Sequence, residues 1–300
     1  MHLNFNIMKR YILPLLTLAG ISFLSCERII PFESDDVNPL ITLYSTLQPD
    51  SSVEAFVSRS IGILDQSEPI LINSAQVWAE DSNGNFLDSL TFIGLGIYRS
   101  TNLSGIEGGK YEIHAAYENL PSVYGSATIP NIPAEGAVDS LDAVEGNFGG
   151  PGPSSQPYLS YSFEIIDDGE PGYYFIEAYE RLRGTTTIPN YPLEIETDDP
   201  YVTGSGFGLN QYKQRVEISN ELFLGGSHVL NFRIYQWDFN GMEVLFKLKK
   251  VDDATFFYER SLDQFKRANG NPFTQPVSVY SNVLDGLGVV SAEAFRWILP

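Results

Sequence analysis

Short runs in which apolar and polar residues alternate, each cut off by glycine, proline or an Asn-Gly pair, recur from residue 40 to residue 251. This pattern restricts the chain to sheets. Residues two apart share one face of a strand, so alternation makes one face apolar and requires a second layer to cover it. Val53, Ala55 and Val57 alternate with polar neighbours in Ser52–Arg59, and Tyr174, Ile176 and Ala178 do so after residue 173. Two runs, Ala75–Glu80 and Phe86–Leu90, flank Asp81-Ser82-Asn83-Gly84-Asn85, which predicts a hairpin turn. The oxygen side chains of that loop give it a faint calcium-loop look. It lacks the closing Glu and the flanking helices, so the turn is the better reading. The single cysteine excludes an internal disulfide, so the core has to hold unaided.

About seven short strands over residues 40–130, with no convincing helix, predict an N-terminal β-sandwich of immunoglobulin or transthyretin type. Its span is 40–133, closed by Pro130-Asn131-Ile132-Pro133. Residues 134–300 predict a second β-rich, sandwich-like domain with longer strands and a polar loop over 185–208. One helix is expected over about 254–268, near the C-terminus. Asp252 or Asp253 caps it, Asn269-Gly270 ends it, and Tyr258, Leu262 and Phe265 share a face.

Residues 1–25 have the order of an export signal. Lys9-Arg10 precede an apolar stretch, Tyr11 to Leu24, that is too short to span a bilayer, which takes about 20 residues. Met8 is as good a start as Met1. Phe23-Leu24-Ser25-Cys26 resembles a bacterial lipobox, with Phe23 where leucine is usual. That resemblance implies processing before Cys26 and acylation of it. One acyl chain binds a bilayer only marginally and several bind stably. Residues 26–39, with Pro31, Pro39 and the acidic Glu33-Ser34-Asp35-Asp36, read as a tether.

Removing residues 1–25 takes away Lys9 and Arg10 and no acid, which moves the formal net charge from −20 to about −22. Such a surface repels phosphate backbones, so nucleic acid is not an expected partner. After that removal only His114 and His228 remain, which excludes His-rich zinc sites. His114 lies in a period-2 strand and reads as a satisfied or surface histidine; no metal or cofactor is expected. Acids are plentiful, among them Asp167, Asp168, Glu177, Glu194, Glu196, Asp198 and Asp199, but spacing does not bring any two to the roughly 5–9 Å of a glycosidase pair. Aromatic residues in loops and at strand ends suit ligand or partner contact: Tyr235, Trp237, Phe239, Tyr191 and Tyr201.

After the helix come Asn271-Pro272-Phe273, Gln275-Pro276-Val277, Ser281-Asn282-Val283 and Gly286-Leu287-Gly288-Val289. This order, with Ser25-Cys26-Glu27 and Tyr174–Ala178, resembles the lipoproteins of Bacteroidota grouped as domain of unknown function 4249. The resemblance runs from Cys26 to Trp297, with Val290 where that family commonly has an aromatic residue. It implies a lipoprotein of the outer membrane with a TonB-dependent β-barrel receptor as a partner, and it carries no catalytic residues over. The residues themselves give Pro272, Pro276 and the glycines a structural role at turns and strand starts. The expectation is therefore a non-enzymatic binding or accessory component, lipid-anchored at Cys26 and facing the periplasm or, by preference, the cell surface. The competing expectations are a surface hydrolase with a carboxylate pair and a structural or adhesin module.

Overall fold

The computed structural model describes residues 38–62, 67–147, 155–187, 191–202, 212–235, 241–268, 275 and 277–300. The signal, Cys26 and most of the tether lie outside the described residues. The first strands are β1 (Ile41–Leu47), β2 (Ser52–Arg59), β3 (Ile70–Leu71), β4 (Gln76–Asp81), β5 (Phe86–Gly94), β6 (Ile97–Ser104), β7 (Lys110–Ala116) and β8 (Val123–Thr128). Then follow β9 (Val138–Asn147), β10 (Ser155–Ile166), β11 (Tyr173–Leu182), β12 (Ile195–Glu196), β13 (Tyr212–Lys213) and β14 (Val216–Ser219). The chain ends with β15 (Ser227–Tyr235), β16 (Met242–Val251), helix α1 (Asp253–Ala268) and β17 (Leu287–Ile298). The protein is mostly β and sandwich-like, as its alternation predicts.

A long sheet runs in the order β14-β11-β16-β17-β1-β2-β6-β5-β4-β7-β8, with β3 beside β2, and a second sheet runs β13-β12-β15-β10-β9. Two large cores follow. The first is built from β1, β2, β4, β6, β7 and β8, with Leu43, Val57, Ala79 and Ile113 fully buried. The second lies between the two sheets, where Phe163 and Phe232 of one meet Phe246 of the other edge-on at 5.5 and 5.4 Å. Edge-to-face rings are the favoured aromatic geometry in such cores.

The expected boundary near residue 134 falls between β8 and β9, but the last strand belongs to both sides. β17 pairs parallel with β1, Tyr44 opposite Val289, and antiparallel with β16. It gives Val290 and Ala292 to the first core and Ile298 to the second. The Gly286-Leu287-Gly288 motif makes this contact. A Cβ on Gly288 would sit 2.0 Å from the Leu43 carbonyl oxygen, and its φ of +110° is one that L side chains rarely adopt. Asn282 fastens the return: its amide donates to the carbonyls of Ser126 and Val290, and its Oδ1 accepts from the Val290 amide. The motif that carries the family resemblance is thus occupied with backbone packing.

Two local expectations change and one holds. The buried face of α1 is its first turn, Ala254, Thr255 and Phe256, while Phe265 is exposed. The reason is Tyr173, whose ring stacks on Phe256 at 3.7 Å and so anchors the start of the helix against β11. The polar stretch after Thr185 is not all surface loop: Ile195 enters the second sheet on β12 and is fully buried. At Asp81–Asn85 the turn is confirmed. Asp81 accepts from the amides of Asn83 and Asn85 and from the Asn85 side chain, which uses up its carboxylate.

Candidate ligand-contact surfaces

A cleft of about 720 Å³ lies where the two cores meet, lined among others by Lys110, Asp168, Lys250, Asp252, Asp253 and Tyr280. Its position follows from the strand endings. The end of β8, the β10–β11 turn and the β16-to-α1 junction converge there. Lys250 is 2% exposed and pairs with Asp168, while also donating to the Glu170 carbonyl at 3.0 Å. Asp168 accepts in addition from the Asn131 amide at 3.0 Å, which ties the segment after β8 to the β10–β11 turn. Burial pushes the Asp168 carboxyl up, but Lys250 and the other donors outweigh it and hold it below the usual range.

Behind the cleft, Asp167 is the centre of a closed network. Its Oδ1 accepts from the Tyr174 hydroxyl and the Asn220 amide, and its Oδ2 from the backbone of Gly169 and Gly225. Burial raises its pKa, yet these four bonds win and the carboxyl sits low. Tyr174 moves the other way, driven up by burial and then by the Asp167 carboxylate that it bonds.

Asp252 is the exception on this side. Burial pushes it up to about 6, although its Oδ1 accepts from the Thr255 amide and hydroxyl and from the Ala292 amide. It is the cap of α1, as one of the two sequence candidates. Among the described carboxyl groups with a resolved shift, Asp252 alone is raised. The cleft therefore has one carboxyl that burial pushes up to about 6, in a lining that also holds a salt-bridged lysine.

A second polar surface lies on the outer face of β4, β7 and β8. In-register pairing places Trp78 opposite His114, and His114 opposite Tyr124. The three rings stack, Trp78 to His114 at 4.9 Å and His114 to Tyr124 at 5.2 Å. The next rung sets Glu80 opposite Glu112. Glu80, Glu112 and His114 are the one group among the described residues with the types and spacing to hold a metal ion. The reading of His114 as a satisfied or surface histidine is corrected: its Nε2 is buried and has no hydrogen-bond partner.

The contact residues named from sequence scatter. Tyr191 is 81% exposed on the stretch between β11 and β12. Tyr201 packs against the His228 ring at 4.6 Å, and His228 lies 2.9 Å from Asp199. Tyr235 ends β15 opposite Tyr158. Trp237 and Phe239 lie outside the described residues.

The acids are mostly paired. Glu177 accepts from Tyr179 and pairs with Lys249, Glu196 lies 3.3 Å from Arg233, and Glu194 and Asp198 are exposed. Sequence reading missed Lys250, since a lysine in Lys247-Leu248-Lys249-Lys250 looks like solvent-facing charge. The available signal was parity: Lys250 shares the face of Phe246 and Leu248, both fully buried.

No family model matches the chain, and no curated protein matches it. Among solved structures it is similar to the yeast delta-COP-I mu-homology domain, at 9% identity and a TM-score of 0.21, covering 87% of this chain and 97% of that one. It is also similar to a structure of the collagen adhesin (CNA) from S. aureus, at 8% identity and a TM-score of 0.20, covering 87% and 93%. Likeness at this level carries no argument about function.

Proposed function

We propose that this protein is a lipid-anchored, non-enzymatic binding or accessory component of the outer membrane, of the domain-of-unknown-function 4249 kind. The carrying observation is Phe23-Leu24-Ser25-Cys26 at the end of an apolar run behind Lys9-Arg10. No helix among the described residues is long and apolar enough to cross a membrane, so attachment through Cys26 is the mode this reading uses. The cleft supports a binding role: it is concave, sits between two cores, and offers fixed polar groups from several elements. A partner of TonB-dependent receptor type belongs to this proposal through the family resemblance.

The hydrolase alternative needs two convergent acids with separated pKa values. The cleft offers one raised acid, Asp252, and a salt-bridged Asp168 with a lowered pKa. The two pKa values are separated, but Asp252 is engaged by Thr255 and Ala292 and Asp168 by Lys250 and Asn131, so both carboxylates serve the fold, which favours recognition over acid–base chemistry.

The test has two arms. Cys26→Ala should move the protein from the membrane to the soluble fraction, and retention in the membrane would defeat the anchor. Affinity capture of the tagged native protein from solubilised outer membrane should recover a β-barrel receptor. Capture of no partner would leave the adhesin or structural reading in its place.

A further inference from the structure

Glu80 and Glu112 face each other across β4 and β7, and like charges directly opposite on a sheet destabilise it. Lys110 shares the Glu112 face of β7, but among the described residues no Lys or Arg forms an ion pair with either acid, and the cationic-capable group within reach of both is His114. Its Nε2 lies 3.5 Å from Glu80 Oε2 and 3.8 Å from Glu112 Oε2, with no hydrogen bond to either. The three ligand atoms lie within 4.8 Å of one another. A buried polar atom without a partner is costly and calls for an explanation. Here, two carboxylate oxygens point towards the same small space.

We propose that Glu80, Glu112 and His114 form a binding site for a divalent metal ion of the zinc type, independent of the anchor and of the cleft. Three observations fit one ion. Zinc takes nitrogen and oxygen ligands at about 2.0–2.2 Å, and tetrahedral geometry then spaces the donors by roughly 3.3–3.6 Å. The 3.5 and 3.8 Å separations here need only a small side-chain adjustment. The imidazole is clamped between Trp78 and Tyr124, within 12° and 16° of coplanar stacking, so its orientation is set before the ion arrives. Trp78 Nε1 donates to Glu80 Oε1 at 2.7 Å, which leaves Oε2 as the free ligand atom and fixes its carboxylate, as outer groups do around metal ligands.

Calcium is the poorer fit, since it takes 6–8 oxygen ligands and no imidazole. With three protein ligands, a fourth position stays open on the solvent side of the sheet, where all three side chains are partly exposed. That position suits water, or a carboxylate or imidazole from a second molecule.

The test uses the full-length protein in detergent, stripped with a chelator. Titration with zinc should give one saturable equivalent by calorimetry and raise the melting temperature. Cobalt should bind at the same place, give a visible absorption band, and quench Trp78, whose ring touches the ligand histidine. His114→Gln, Glu80→Gln and Glu112→Gln should each weaken zinc binding at least roughly tenfold. His228→Gln, at the separate contact with Asp199, should leave it unchanged. Circular dichroism of each variant keeps folding separate from binding. Absence of saturable binding at about 100 µM zinc, or binding that survives unchanged in folded His114→Gln, would overturn the site.

Discussion

Asp167 and His114 are both polar side chains set against β structure, and the protein treats them in opposite ways. Asp167 has four donors for its two oxygens, drawn from Tyr174, Gly169, Asn220 and Gly225. His114 is covered by two aromatic rings and flanked by two carboxylates, yet its Nε2 bonds to nothing. A fully satisfied network rigidifies the fold; a partly satisfied one costs stability unless it has another purpose. The first cluster is explained by folding alone. The second is what a site looks like when the missing partner comes from outside the chain.

The difference can be broken or sharpened by mutation. The largest effect is expected at Asp167→Ala, which strands a tyrosine hydroxyl, an amide and two backbone N–H groups. It should cost about 3–5 kcal/mol in urea unfolding at pH 7. A loss under about 1 kcal/mol would mean the network is ornamental.

Next comes Asp252, whose carboxyl burial pushes up to about 6, above the ordinary aspartate value of about 3.9. Its stabilising contribution is complete below about pH 4 and is lost as pH rises through about 6. Asp252→Asn keeps the Oδ1 acceptor of the α1 cap and removes the charge. It should gain about 1–2 kcal/mol over the parent at pH 7 and nothing at pH 4. Asp167 and Asp168 run the other way, since their lowered pKa values give stability that is present at neutral pH and lost on acidification. A pH-independent difference between Asp252→Asn and the parent would reject the shift.

The smallest effects belong to the outer face. In chelator, His114→Phe keeps the ring stack and should change stability by less than about 1 kcal/mol, because no hydrogen bond is lost. Glu80→Gln keeps an acceptor for Trp78 and relieves the repulsion with Glu112, so it should gain about 0.5 kcal/mol in metal-free buffer. A loss of several kcal/mol from either would show that the cluster is a structural network after all.

The strands and turns were legible because their determinants are local: side-chain parity, the Asn-Gly hairpin, the glycine and proline stops. Asp81–Asn85 shows this well, since all its partners lie within four residues. What was not legible depends on partners far along the chain. Glu112-Ile113-His114 announces two polar groups on one strand face, but Glu80 lies thirty-odd residues earlier and enters only through the β4–β7 register. Lys250 looked solvent-facing until Asp168 and Glu170, on the turn before β11, closed over it. The packing of the helix has the same origin. Periodicity identified the amphipathic stripe of α1, but Tyr173 decided which turn of it is buried.

The parallel pairing of β1 with β17 has a consequence for how such a chain comes into being. The strand that opens the fold finds this neighbour only when residues 287–298 are present, so the seam between the cores waits for a segment 245 residues further along the chain. Contacts this distant in sequence carry a heavy loop-closure cost and slow the search for the native state. Until residues 287–298 are in place, the first core lacks Val290 and Ala292 and β1 presents an unfinished edge, open to pairing with another strand.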